Sequence, residues 1–233
     1  MKELSLKGSS VALIGLGGSQ AAYTLSVANG EEYDEVWVIN SMLAPIKHDR
    51  VFMMDPPSRF LDTENAGKQT PALRRELPKH KGPIYTCQLD DRVPGAVLYP
   101  LEEIIRDTNL CYFNNTVPYA VAFAAYQEIG KLHLFGIDYS YSTNVHMAES
   151  GRACTEFWLS FCVSRGIKID VSYGSSLLER LYGYHRLDDP LVMNIENEQL
   201  LITRQSELVL PEPMDAPIIF GRHDNIVELQ DTA

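Results

Sequence analysis

The sequence lacks long apolar runs and an excess of positive charge. None of its 233 residues lies in a segment that approaches the roughly 18 to 20 consecutive apolar residues of a membrane-spanning helix. The first residues run straight into a predicted strand without a signal-peptide cleavage pattern. The formal net charge of -11 argues against bulk attraction to nucleic acid or to an anionic membrane. We therefore expect a cytoplasmic protein without a membrane partner.

Cysteine is also scarce, and the four cysteines are far apart in the sequence. Cys87, Cys111, Cys154 and Cys162 each lie within an apolar segment. Neither the paired spacing of a zinc site nor the density of a disulfide framework is present. We expect four buried thiols.

Several catalytic signatures are missing as well. The chain has no GxxxxGK[ST] phosphate loop, no HExxH or Cys-x-x-Cys metal pattern, no GxSxG nucleophile turn and no Asp-x-Asp pair. A P-loop kinase, a zinc enzyme and a metal-dependent glycosyltransferase are therefore not expected. We expect no metal and no permanently bound cofactor.

What the sequence does contain is a regular alternation of short apolar strands with helices. This alternation predicts an α/β fold with a mainly parallel, doubly wound sheet that is covered on both faces. The predicted strands are residues 10–15, 35–40, 50–55, 83–87, 96–99, 110–114, 131–136 and 168–172. The predicted helices are residues 19–28, 70–77, 101–107, 118–129, 148–165 and 175–182.

The character of the chain changes after residue 189. Prolines punctuate residues 190–233, with strand-like stretches at 199–204, 207–211 and 217–221. About 40 residues seldom hold a core by themselves. We therefore expect one main domain, residues 1–189, and a small C-terminal appendage, residues 190–233, that packs on it or on a second subunit of a homo-oligomer.

A glycine-rich turn follows the first predicted strand and opens a helix. Its residues are Gly15, Gly17, Gly18 and Ser19. Glycines let a phosphate approach the backbone, and a helix N-terminus favours an anion. The dinucleotide pattern would need a glycine in place of Gln20, and the second strand ends in Asn40 where NAD enzymes carry an acid. The turn predicts a phosphate or nucleotide site rather than an NAD site, and the alternative is a tight turn without a ligand.

Polar side chains follow further strands of the predicted sheet. Asn114, Asn115 and Thr116 precede an alanine-rich helix. One of them can cap that helix, and two adjacent amides also suit a nucleobase or a ribose. Ser172, Ser175 and Ser176 end the last strand, where helix capping suffices to explain them.

The richest strand end is the segment that runs from Gly136 to His146. Asp138, Tyr139 and Tyr141 follow the strand, and His146 precedes the next helix. Ligands of open α/β sheets bind outside the carboxyl ends of the strands. A histidine there can take a hydroxyl proton, and tyrosine hydroxyls can donate to a departing phosphate. The alternative for His146 is a solvated loop histidine.

Taken in order, these motifs resemble the Cst-type bacterial sialyltransferases, glycosyltransferase family 42, and the Rossmann-like proteins related to archaeal 6-hydroxymethylpterin diphosphokinase. The resemblance spans about residues 10–182. The matching pieces are the glycine turn, Asn40, the polar turn and alanine-rich helix at 114–124, the strand ending LFGIDY, His146 ten residues before Glu156-Phe157, and Ser176–Leu178. The chain departs from the family where Asn114-Asn115-Thr116 stands in place of an arginine.

The resemblance implies a role for each matching position. His146 would be the general base, and Tyr139 and Tyr141 would stabilise the departing phosphate. Asp138 would orient a donor hydroxyl or shape the pocket floor. The nucleotide contacts would be Gly15, Gly17, Gly18, Ser19, Asn40, Asn114, Asn115 and Thr116.

We therefore expect a metal-independent transferase that moves a sugar or similar group from a nucleotide-activated donor, its co-substrate, to an acceptor hydroxyl. The acceptor is a small molecule, a glycan or a modified DNA base. Two alternatives stay open. One is a glycosyltransferase that modifies a hydroxymethylated pyrimidine in DNA, which the five basic residues and one acidic residue of 68–82 would suit. The other is a non-catalytic nucleotide-binding module.

Overall fold

The computed structural model describes residues 6–140 and 144–178, together with the backbone of residues 191–196, 199–204, 218–222 and 225–229. The chain divides into two compact units, Met1–Leu177 and Leu178–Ala233. Within the described residues, no helix combines the length and the apolar character needed to cross a membrane.

The first unit is built around a seven-stranded sheet in which every pair of neighbouring strands is parallel. Its strands are β1 (Ser10–Ile14), β2 (Glu35–Ile39), β3 (Arg50–Phe52), β4 (Ile84–Thr86), β5 (Ala96–Leu98), β6 (Lys131–Phe135) and β7 (Lys168–Val171). The strand order is β5-β4-β3-β2-β1-β6-β7. The order reverses between β1 and β6, which is the point where open α/β sheets place their ligands. The predicted doubly wound α/β fold is confirmed.

Among the described residues, six α-helices connect the strands of this sheet. They are α1 (Ala21–Ala28), α2 (Pro57–Asp62), α3 (Thr70–Glu76), α4 (Leu101–Thr108), α5 (Thr116–Tyr126) and α6 (Val145–Ser164). Short 3-10 helices lie at Gly18–Gln20, Asn40–Leu43 and Leu77–Lys79. Helix α2 is absent from the sequence-based prediction, in which a strand extends to residue 55.

Strand alternation divides the core between the two faces of the sheet. Val11 and Leu13 of β1 pack with α5 and α6 on one face, whereas Ala12 and Ile14 pack with α2 and α3 on the other. Successive side chains of a strand point to opposite faces, so a buried parallel strand must be apolar throughout. This requirement explains the continuous apolar run of β1.

The predicted strand at 110–114 is wrong, since these residues pair with no strand of the sheet. They lie instead beside α6, where the indole Nε1 of Trp158 donates to the carbonyl of Tyr112 at 2.7 Å. The predicted helix at 175–182 is also not formed over residues 175–178, which make a turn. Residues 179–182 lie outside the described part of the chain.

The described part of the second unit contains two antiparallel strand pairs. Strand β8 (Leu191–Glu196) pairs with β9 (Gln199–Arg204), and β10 (Ile218–Arg222) pairs with β11 (Asn225–Leu229). The strands predicted at 199–204 and 217–221 are thereby confirmed to within one residue. The stretch predicted at 207–211 lies outside the described residues.

Candidate functional site

A cavity of about 820 Å³ opens at the carboxyl ends of β1, β2, β3 and β6. The glycine turn after β1 and the segment Gly136–Ser140 after β6 form one wall. Asn40, Asp55 and Arg59 contribute from the other strand ends, and residues 113–117 and Met147 close the remaining sides. The cavity therefore collects most of the polar strand-end residues that the sequence singles out.

Glycine is required after β1 because the chain there runs against the end of β6. The N–H of Gly15 donates to Phe135 at 2.7 Å, and that of Gly17 donates to Gly136 at 2.7 Å. A Cβ on Gly15 would stand 2.5 Å from the Gly136 carbonyl oxygen. Since real Cβ atoms do not approach an oxygen so closely, the contact between the two strand ends excludes any side chain at position 15.

The carboxylate of Asp138 sits on the glycine turn. It accepts a hydrogen bond from the backbone N–H of Ser19 at 2.9 Å and another from the Ser19 hydroxyl. The same hydroxyl accepts from the N–H of Gly136 at 2.9 Å and from the hydroxyl of Ser172 at 3.1 Å. Asp138 is 7% exposed. The turn predicted to cradle a phosphate thus holds an anionic group of the chain itself, which a phosphate would have to displace.

Asn115 performs the capping role considered for it. Its Oδ1 accepts from the N–H of Val117 at 3.1 Å at the start of α5 and from the hydroxyl of Tyr139 at 3.0 Å. Its Nδ2 donates to Oδ1 of Asn114 at 2.7 Å, and Asn114 donates in turn to the carbonyl of Ser150. The two amides therefore fix α5 to α6, while both still line the cavity together with Thr116.

The hydroxyl of Tyr139 is occupied by two protein partners. Besides Asn115, it lies 2.5 Å from Oγ1 of the fully buried Thr155. The ring packs on Gly151, one helical turn before Thr155, where a Cβ would stand 2.7 Å from a ring carbon. A tyrosine hydroxyl carries one proton, which is donated to Asn115. The predicted donation to a phosphate would require Tyr139 to give up that bond, whereas in the structure its hydroxyl holds the side chain of Asn115.

Asn40 has a buried oxygen without a partner. Its Oδ1 has no hydrogen-bond partner, the single such side-chain atom among the buried ones that the structure describes. The residue has a φ of 49°, in the left-handed region that asparagine tolerates better than most residues. Asn40 lines the cavity. Buried acceptors are nearly always satisfied in native proteins, and an unsatisfied one in a cavity is what a ligand donor would complete.

His146 is exposed in the first turn of α6, which Asn144 caps by accepting from the N–H of Met147 at 3.0 Å. The next residue, Met147, lines the cavity, whereas His146 does not.

Glu156 lies ten residues further along α6 than His146, so the helical rise places it about 15 Å away. Glu156 pairs with Arg152 at 3.4 Å. The His146–Glu156 spacing therefore does not bring the two side chains together. Tyr141 lies outside the described residues.

The strand-end serines attach the chain to β6 and do not cap a described helix. Ser175 donates to the carbonyl of Ile137 at 2.7 Å, and Ser176 donates to the carbonyl of Asp138. Both bonds hold the segment that carries the Asp138 carboxylate. The two serines thus stabilise the backbone of the segment after β6 that forms a wall of the cavity.

The sequence-based prediction misses the cationic group of the site, Arg59. This residue comes from α2 and lines the cavity, and its Nη1 lies 2.7 Å from Oδ1 of Asp55. No other lysine or arginine among the described residues lines the cavity. The four-residue spacing of Asp55 and Arg59, and the Pro56-Pro57 pair that starts α2, are the sequence signals that could have revealed it.

The cysteines are partly misplaced by the sequence-based prediction. Cys154 and Cys162 are buried, but Cys87 and Cys111 are exposed. All four are free thiols. Among the described residues, no group of three or more His, Cys, Asp or Glu side chains is arranged to hold a metal ion.

The basic stretch 68–82 makes several contacts within the protein. Arg74 donates to the carbonyls of Phe60 at 3.1 Å and Thr63 at 2.5 Å, and Arg75 pairs with Glu76 at 2.5 Å. Arg74 is therefore committed to holding α3 against the end of α2. This reduces the positive charge that the stretch offers to an external anion.

Comparisons with known proteins show a distant structural likeness. No protein-family model matches the chain. No curated protein matches it. Among solved structures, the chain is similar to the sialyltransferase CstII from Campylobacter jejuni, determined in complex with a substrate analogue, CMP-3FNeuAc. The identity is 17%, the match covers 70% of this chain and 79% of that chain, and the TM-score is 0.44. A likeness of this size carries no conclusion about what the chain binds or does.

Proposed function

We propose that the chain is a transferase that uses a nucleotide-activated donor, most simply a nucleotide sugar. The observation that carries the proposal is the cavity at the strand-order reversal between β1 and β6, lined by asparagine side chains, one arginine and one unsatisfied acceptor. Such a site suits a ligand with an anionic group and several hydroxyl or amino groups. The motif resemblance of residues 10–182 supports a glycosyl donor.

In the proposed reaction, the acceptor oxygen bonds to the anomeric carbon of the donor while His146 takes the acceptor proton. The bond from that carbon to the phosphate oxygen breaks, and its electron pair leaves with the nucleotide. His146 is exposed beside a cavity-lining residue, so it would act on an acceptor that arrives from solvent.

The experiment is a calorimetric screen of the whole chain against CMP, UDP, GDP, dTDP and their sugars, followed by a transfer assay with the donor that binds. We expect one nucleotide family to bind and its sugar to be consumed when an acceptor is present. Binding of NAD alone would contradict the proposal. Binding of a nucleotide without any turnover would favour the non-catalytic module.

The DNA-modifying alternative gains no specific support from the described residues. Arg74 of the basic stretch donates to backbone carbonyls at the end of α2. No lysine or arginine of the stretch lines the cavity at the ends of β1, β2, β3 and β6. A donor turnover that falls steeply with salt only when DNA is the acceptor would revive this alternative.

A further inference from the structure

The glycine turn is an unfavourable place for the phosphate of a donor. Asp138 occupies the space beside Gly17, and the N–H of Ser19, which would otherwise point at an anion, already donates to Asp138. A phosphate added there would meet a carboxylate of the same sign at close range. The anionic part of any ligand should therefore lie in another part of the cavity.

Arg59 offers the opposite environment. Oδ1 of Asp55 accepts from one nitrogen of its guanidinium, and Asp55 is the only hydrogen-bond or ion-pair partner of the Arg59 side chain among the described residues. A guanidinium has five N–H donors in a planar fork, and one such fork can bind two oxygens of a phosphate. The ion pair with Asp55 thus orients the side chain and leaves donors for a ligand.

Asn40 supplies a second, independent constraint on the ligand. Its unsatisfied Oδ1 accepts but cannot donate, so it selects a hydroxyl or an amino group and not an anionic oxygen. The same cavity therefore contains a donor fork for an anion at Arg59 and a buried acceptor for a neutral donor at Asn40.

We propose that Arg59, oriented by Asp55, binds the phosphate of the nucleotide donor, and that Oδ1 of Asn40 accepts a hydrogen bond from a hydroxyl or amino group of its nucleoside part. This inference rests on the proposed function and reverses the placement that the glycine turn suggests. When the bond between the anomeric carbon and the phosphate oxygen breaks, the electron pair stays on that oxygen. An N–H of Arg59 then stabilises the charge, because the proton of Tyr139 is already donated to Asn115.

The test is calorimetric titration of the intact chain with the four nucleotides, the matching nucleosides and inorganic pyrophosphate. Arg59→Gln is compared with Arg106→Gln, an exposed arginine of α4 outside the cavity, so that both variants lose the same charge. We expect Arg59→Gln to weaken nucleotide binding by about 10-fold or more and to leave nucleoside binding unchanged. Arg106→Gln should change neither. Asn40→Gly, which is compatible with the left-handed backbone, should weaken the binding of nucleosides and of nucleotides to the same extent.

The outcomes separate this inference from the proposed function. If nucleotides bind Arg59→Gln and Arg106→Gln equally well, the phosphate does not lie at Arg59 and the transferase proposal still stands. If pyrophosphate binds in an Arg59-dependent manner but no nucleotide does, the anion site stands and the nucleotide donor is excluded. If neither pyrophosphate nor any nucleotide binds, both fail. An unchanged nucleoside affinity in Asn40→Gly would overturn the role of Asn40. Melting curves of each variant confirm that it is folded.

Discussion

The carboxylate of Asp138 fills the space beside Gly17 in which the methyl group of an alanine would have to stand. The two residues follow the adjacent parallel strands β1 and β6, and their contact lies at the point where the strand order reverses. A carboxylate that accepts from the first free N–H groups of a helical segment also stabilises that segment. The pair therefore joins the two halves of the sheet at the floor of the candidate site.

This contact predicts unequal effects of alanine at two neighbouring glycines. In Gly17→Ala, the new methyl group would overlap with Oδ2 of Asp138, so we expect a loss of about 1 to 3 kcal/mol in the free energy of unfolding. In Gly18→Ala, the nearest atom to the new Cβ is 3.9 Å away, an ordinary contact, so little change is expected. Urea unfolding of the two variants provides the measurement. Equal destabilisation would show that Asp138 does not lie on the turn.

Tyr139 provides a second test, because a structural role and a catalytic role predict different readouts. Tyr139→Phe removes the hydroxyl that bridges Asn115 and the buried Thr155, which should cost about 1 kcal/mol of unfolding free energy. A double-mutant cycle with Thr155→Val should show coupling of about 0.5 kcal/mol or more, since the side chains touch. Tyr112→Phe, at an exposed tyrosine, is the control. Lost turnover with unchanged stability would instead support direct donation to the phosphate.

The sequence predicted the sheet well because parallel strands buried on both faces need continuous apolar runs. Every strand of the seven begins within one residue of its predicted start. The false strand at 110–114 is apolar for another reason: it packs against α6, with the Tyr112 carbonyl held by Trp158. A short apolar loop that packs against a helix and a short buried strand can have the same composition, so periodicity alone could not separate them.

The site was harder to predict than the fold because its key relationships are long-range. The glycine turn suggested a phosphate from its local pattern, but the group that occupies it, Asp138, is 119 residues away from Ser19 in sequence. Arg59 was missed because the predicted strand ends at residue 55 and no helix was predicted for the segment that forms α2. Which side chain fills a turn depends on strand order, and the sequence pattern alone does not specify that order.

The histidines predict how stability changes with pH. Burial lowers the pKa of His133, and nearby Lys131 lowers it further, while Asp170, 3.0 Å from Nδ1, opposes the shift. Burial and His48 lower the pKa of His80 in the same way. In the unfolded chain the histidine pKa is about 6.5. At a pH between the lowered pKa of the folded chain and this value, the unfolded chain therefore binds more protons than the folded chain.

The sign follows directly: the free energy of unfolding should rise with pH through that window and level off above about 6.5. Conversely, stability should fall as the medium is acidified below it. His133→Gln should reduce the slope of a plot of unfolding free energy against pH, measured by urea unfolding. A slope that is unaffected by this substitution would mean that His133 takes up its proton as readily in the folded protein as in the unfolded chain.

His146 decides between an enzyme and a binding module. If it takes the acceptor proton, His146→Ala should lower turnover by roughly 100-fold or more, the scale of general-base loss, and leave donor affinity unchanged. Glu149→Ala, an exposed neighbour in the first turns of α6, controls for changes at the helix surface. A decrease shared by both variants would indicate a disturbed helix start rather than lost chemistry. A much smaller decrease confined to His146→Ala would remove this residue from the mechanism. If His146→Ala retained full donor affinity and every measurable function, the chain would be a nucleotide-binding module that uses the same cavity without catalysis.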